Sequence, residues 1–281
     1  MSVDYVSLYS NTPSAQNGFT PFLSLMFLFM GRMLPVIALV PFFGGRLLPR
    51  PVKVTFAISL FIIFLPQLLT ETKTTLDFNL QLVLYLAKEV FIGLLIGFFL
   101  SIPFIIVQSS GILIDHQRGG SSLMVNDPTI QNQSSPLGTM FNYVLIYLFF
   151  SIDGPFIVLE IISHSYTIIP ADVMLDSAVF NDTSKVFQYT TKILGQVMIL
   201  ATQLAAPALI MILMTDFFLG IANRLAPQVQ ITFLGMPLKS LLALTIVFFG
   251  WTLFTHEIIA QGYKALTFID YLVKQLQPLL S

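Results

Sequence analysis

Residues 80–114 read LQLVLYLAKEVFIGLLIGFFLSIPFIIVQSSGILI, with Lys88 and Glu89 as the only charges. A helix of this length would extend roughly 50 Å, whereas the hydrocarbon core of a bilayer is only ~30 Å thick. The stretch is too apolar for a soluble surface and too long for one upright span, so it must tilt, kink or break. On either side lie further apolar runs at residues 21–40, 52–69, 137–162, 186–225 and 238–259. Proline falls inside most of them, as Pro35, Pro66, Pro103, Pro155 and Pro207. Because proline lacks an N–H and its ring opposes the preceding turn, these runs predict bent hairpins and not straight rods. The expected fold is an all-α membrane protein of bent, proline-broken helical hairpins with about six apolar segments, residues 1–281 forming a single membrane domain.

Composition agrees with that reading. Of 281 residues, 56% are hydrophobic and 10% charged, against about 25% charged in a soluble domain. Thirteen basic and fourteen acidic residues leave a net charge of -1, which provides no electrostatic footprint for nucleic acid. The absence of cysteine excludes disulfides, thiolate nucleophiles and thiolate-ligated metals. Residues 1–20 hold Asp4 and no Lys or Arg, so the first apolar run is read as a retained segment and not as a signal peptide.

Arg46, Arg50 and Lys53 fall on the same side as Arg224 and Lys239 if the six segments alternate, and positive-inside counting makes that side cytoplasmic. The loops with Glu71, Lys73 and Asp77, and with Asp172, Asp176, Asp182 and Lys185, would lie opposite. Residues 115–135, DHQRGGSSLMVNDPTIQNQSS, are too polar to face lipid and predict a structured or re-entrant loop buried in protein or beside water. Residues 262–281 place Leu266, Ile269, Leu272, Val273 and Leu276 at helical spacing, the pattern of an amphipathic helix that packs on the body, lies on the membrane or docks a partner.

Catalytic chemistry is not apparent: neither HExxH nor GxSxG occurs, and His116, His164 and His256 are far apart. Only Glu160 stands at helical spacing from a histidine, and one such pair makes no metal site. No catalytic residue, cofactor or metal is therefore expected. Charges inside the apolar runs are more telling, since each costs ~2.5 to 3.5 kcal/mol or more at a helix centre unless paired or hydrated. They are Arg32, Lys88, Glu89, Asp153, Glu160, Lys192 and Asp216. Either they form an ion relay, as in a secondary transporter or channel, or they are satisfied structurally, within the chain or by neighbouring subunits. As sequence neighbours, Lys88 and Glu89 are expected to face apart on a helix, each with its own partner. Gly93 and Gly97 form a GxxxG pair that would let another helix approach closely.

Two stretches resemble the SctT/FliR family of type III secretion export-apparatus proteins. The first is Gly111-Ile112-Leu113-Ile114-Asp115-His116-Gln117-Arg118-Gly119, followed by Asp127-Pro128 and Ser134-Ser135-Pro136-Leu137-Gly138. Its Asp-x-Gln-Arg form looks like the injectisome branch. The second is Ala226-Pro227-Gln228-Val229-Gln230-Ile231-Thr232-Phe233-Leu234-Gly235-Met236-Pro237-Leu238-Lys239, which resembles the family's loop between the last two long segments. Arg32, Pro35, Pro41, Pro49, Glu89, Gly93 and Gly97 support the match. Asp153-Gly154-Pro155 departs from it, since many members carry His in place of that Pro.

The resemblance implies a non-enzymatic role in the bacterial inner membrane. With SctR-like and SctS-like subunits the chain would form a portal for unfolded substrate proteins, next to SctU-like and SctV-like components. Within it, Asp115, Gln117, Arg118, Gly119, Leu123, Met124, Val125, Asp127 and Pro128 would belong to a luminal plug or gate loop, with Leu123, Met124 and Val125 as its apolar tip. The alternative is a loop that only braces a subunit contact. Arg224, Pro227, Gln228, Gly235, Pro237 and Lys239 would form a partner-contact loop, or merely a positive-inside anchor.

Overall fold

The computed structural model describes residues 20–45, 48–74, 76, 78–119, 125–127, 132–174, 185–225, 231–260, 262 and 267. Arg46, Asp77, Leu123, Met124, Pro128, Asp176, Asp182, Pro227 and Gln228 lie outside these residues, as does nearly all of the expected 262–281 helix.

The chain forms helices α1 (Thr20–Leu39), α2 (Arg50–Glu71) and α3 (Leu80–Gln117), then two short strands, β1 (Val125–Asp127) and β2 (Asn132–Ser134). Helices α4 (Pro136–Ser151), α5 (Gly154–Ile168), α6 (Lys185–Leu225) and α7 (Ile231–Phe249) follow. Among the described residues, four helices are long and apolar enough to cross a membrane: Thr20–Leu39, Arg50–Glu71, Leu80–Gln117 and Thr191–Leu225. Counting the bent pairs Pro136–Ser151 with Gly154–Ile168 and Gly235–Phe249 with Trp251–Ala260 as one span each brings the number to six.

Helix continues through Pro35, Pro66, Pro103 and Pro207. The breaks fall elsewhere. One is at Ile152–Asp153, where Asp153 adopts a left-handed φ of 57° before Gly154 and Pro155 restart the chain as α5. The other is at Gly250, where the axis turns by 65°. A single proline removes one backbone hydrogen bond, a loss that neighbouring groups in a packed helix bundle can absorb. A left-handed residue such as Asp153 interrupts a right-handed helix at its own position.

Two compact units are present, and α3 contributes to both. The first comprises residues up to Ser101 together with Asp153–Thr191. Its core is aromatic: Phe29 of α1 lies 5.7 Å from both Phe61 and Phe64 of α2 and stacks at 5.8 Å on Tyr166 of α5. Gly93 and Gly97 of α3 meet α1. A Cβ on Gly93 would collide with the Arg32 carbonyl oxygen, and one on Gly97 would come within 3.1 Å of the Val36 Cα. The GxxxG pair thus serves packing within the chain.

The second unit comprises Ile102–Ile152 and Lys192–Lys264. Phe104 packs edge-on against Phe149 at 5.9 Å, and Phe141 lies 5.6 Å from Phe254. Gly111 of α3 touches Gly138 of α4 so closely that a Cβ would come within 2.5 Å of the Gly138 backbone. Small residues Ala201, Ala205 and Ala208 bury the inner stripe of α6, while Phe217, Phe218 and Leu225 stand largely exposed on it. Phe248 and Phe249 do the same on α7. Large exposed apolar surfaces of this kind belong against lipid or another apolar protein.

Candidate functional site

The strongest polar constellation is inside the first unit. Gly93 lets α3 approach α1 closely enough for Glu89, one turn earlier, to meet Arg32. The Arg32 guanidinium grips the carboxylate in a fork, with Nε 2.5 Å from Oε2 and Nη2 2.9 Å from Oε1. Its remaining donors reach α5 and its end: Nη1 donates to Ser165 Oγ and Nη2 to the Ile169 carbonyl, both at 2.9 Å. The Tyr166 ring lies 3.8 Å beneath its Cζ, adding a cation–π contact. Arg32 and Glu89 are wholly buried.

Lys88 joins the same group. Its Nζ stands 2.9 Å from Glu89 Oε1 and donates to the carbonyls of Pro170, Ala171 and Val173 at 2.8, 3.1 and 2.9 Å. Lys88 and Glu89 were expected to face apart, and the structure corrects this. Their Cβ atoms do diverge, but the four-carbon lysine stem is long enough to bring its head back to the carboxylate. The expectation of separate partners holds only in part, because Arg32 and Lys88 share Glu89. Asp153, Glu160 and Lys192 are exposed, so they are not buried charges at all.

A second constellation stands at the C-terminal end of α3. Asp115 is fully buried and accepts from Arg118 Nε at 2.7 Å, while Arg118 Nη2 lies at 2.6 Å from the same oxygen. The other carboxylate oxygen accepts from the Leu137 backbone N–H at 2.9 Å and from the Ser135 hydroxyl. Ser135 also caps α4 by accepting from the Gly138 N–H at 3.0 Å. Arg118 Nη1 donates to Ser240 Oγ on α7 at 2.9 Å.

This geometry corrects the 115–135 loop. Asp115 and Gln117 are the last turn of a helix, and Arg118 follows with only 8% of its surface exposed. Both charged residues are anchors, since a carboxylate this buried must collect several donors. Gly119 follows at φ 86°, a conformation that favours glycine. Val125 and Asp127 lie in β1, which pairs antiparallel with β2 in the register Val125↔Ser134 and Asp127↔Asn132.

The 226–239 loop also needs correction. Gly235, Pro237 and Lys239 belong to helix α7, whose apolar sequence outweighs its turn-forming Gly and Pro. Lys239 pairs with Asp216 of α6, the two side chains being 24% and 42% exposed. Arg224 is exposed in the last turn of α6, where its charge complements the helix dipole. The structure thus joins Arg32 with Lys88 and Glu89, Asp115 with Arg118, and Asp216 with Lys239.

Ser165, Ser240 and the carbonyls of Ile169, Pro170, Ala171 and Val173 were missed by sequence reasoning. Ser240 directly follows the quoted 226–239 motif and could have been suspected from that place. The carbonyls left no signal in side-chain identity.

Comparison with known proteins gives this arrangement a setting. The family described as bacterial export proteins, family 1, matches residues 23–262. The chain is 33% identical over 177 residues to the Yop proteins translocation protein T of Yersinia pestis, covering 62% of this chain and 66%, just under two thirds, of that relative. It is 30% identical over 221 residues to the surface presentation of antigens protein SpaR of Shigella sonnei, covering 77% of this chain and 81% of that one. The flagellar biosynthetic protein FliR of Bacillus subtilis is 30% identical over 201 residues, with 71% of this chain and 75% of the relative covered. With its several membrane-grade helices, the chain is a multi-pass membrane protein. It belongs to the bacterial export proteins, family 1, the SctT/FliR family whose two motif stretches it carries.

Proposed function

We propose that the chain is a core structural, non-catalytic component of the type III secretion export gate in the bacterial inner membrane. It assembles with SctR-like and SctS-like subunits into the portal for unfolded substrate proteins and meets SctU-like and SctV-like components. Family membership supports this reading, and the mutual saturation of Arg32, Lys88 and Glu89 is the observation that carries it. An ion-coupled transporter needs an intramembrane group that can exchange its partner for the transported ion. Here each buried charge is held by two or more fixed protein groups, which suits a scaffold.

In the same reading the segment between Arg118 and Ser135 is the plug, anchored at both ends by Asp115. Lys239 and Arg224 mark the face that contacts a partner. Native mass spectrometry of the chain co-expressed with SctR-like and SctS-like partners from the same source tests the assembly. A discrete hetero-oligomer containing this chain is expected. Recovery of the chain alone, or only as homo-oligomers, together with substrate-dependent flux in liposomes, would replace the portal with a transporter.

A further inference from the structure

We propose that the carbonyls of Pro170, Ala171 and Val173, with the Glu89 carboxylate, form a cage for a small monovalent cation, which the chain fills with its own Lys88 ammonium. Four oxygens surround Nζ at 2.8 to 3.1 Å, yet an ammonium has only three N–H groups. The arrangement therefore answers to positive charge more than to directed donors, as in oxygen-lined cation sites. Lys88 is 5% exposed, so water does not share the task.

The three carbonyl oxygens come from one short turn. They belong to the turn that follows α5, outside the helical ladder, where the Pro170 carbonyl also accepts from the Val173 N–H at 3.4 Å. Arg32 takes the carbonyl of Ile169, and Lys88 takes the next ones. Other contacts hold the turn in place without Lys88. Asp172 Oδ2 accepts from the backbone N–H groups of Lys73 and Thr74 at 2.9 and 3.0 Å and from Thr74 Oγ1 at 3.1 Å. Glu89 likewise stays gripped by Arg32. Removing the lysine head should leave a formed, vacant cage lined by oxygen atoms.

The test uses the full chain in detergent, comparing wild type, Lys88→Ala and Lys88→Met in potassium, methylammonium or tetramethylammonium chloride at equal ionic strength. Both variants should lose about 5 to 10 °C in Tm. Potassium or methylammonium should return ~2 °C or more to Lys88→Ala relative to tetramethylammonium, which is too large and has no N–H. Wild type should not discriminate among the salts, and neither should Lys88→Met, whose stem fills the space. The double variant Lys88→Ala/Glu89→Gln should lose the rescue. If Lys88→Ala responds to the three salts as wild type does, or Lys88→Met shows the same rescue, the cage is overturned. Should Lys88→Ala be extracted unfolded, its recovery as a monodisperse species in potassium or methylammonium alone supports the cage, and failure in every salt overturns it. The inference does not depend on the export reading, since none of these readouts involves a partner.

Discussion

In the first unit, Arg32, Lys88 and Glu89 share one buried cluster in which two cations flank one carboxylate and backbone carbonyls take up the excess positive charge. In the second, Asp115 and Arg118 form a one-to-one pair three residues apart, and the donors around Asp115 come from the start of the next helix. The first cluster ties together elements 57 to 137 residues apart in the chain. The second holds a local junction, where Arg118 keeps 8% of its surface exposed against none for Arg32 and Glu89. Burial costs the same kind of energy in both places, but loss of a partner should cost more where water cannot return.

That contrast is open to attack by substitution. Glu89→Gln leaves two cations buried without a counter-charge and should destabilise the chain by about 3 to 5 kcal/mol, read as loss of folded protein in chemical denaturation. An effect no larger than that of Asp115→Asn would break the comparison. Asp115→Asn keeps the shape but removes the charge from the bonds to Arg118, Ser135 and Leu137, and should cost about 2 kcal/mol. Limited proteolysis between Arg118 and Ser135 should accelerate in that variant and stay unchanged in Glu89→Gln protein that remains folded.

The glycines extend the contrast to packing. Gly93→Ala pushes a methyl group into the Arg32 carbonyl and should cost about 1 to 3 kcal/mol, whereas Gly195→Ala on α6 meets nothing within 4 Å and should gain roughly 0.5 to 1 kcal/mol through helix propensity. Thermal unfolding of the two variants side by side checks the opposite signs. The smallest effect belongs to Lys239→Ala, whose partially exposed pair with Asp216 should contribute less than ~1 kcal/mol and fade in salt. A larger, salt-insensitive loss would place that pair with the buried ones.

Hydropathy alone located all six apolar segments, because a stretch that cannot be wetted must be buried in lipid or protein whatever its neighbours are. The reading of residues 80–114 as an overlong helix agrees with α3, which runs from Leu80 to Gln117. Breaks were less legible. Proline marks where a helix loses one hydrogen bond, but the chain turns at Asp153 and Gly250, two positions that no proline occupies. In the second motif, Gly235 and Pro237 carry turn propensity yet fold into α7, since local preference of this size yields to burial of an apolar face.

The sequence by itself determined that this chain lives among apolar surroundings, that it is helical, that small residues at Gly93 and Gly97 mark a close approach, and that two motif stretches place it in an export family. Those properties reside in residue identity and short-range order. Only the tertiary structure decided that Glu89 serves both Arg32 and Lys88, that Asp115 holds both ends of a polar segment, and that carbonyls after α5 receive a lysine. Charge pairing over such separations depends on which helices touch, and backbone oxygens look alike in every sequence until the fold leaves some without a partner.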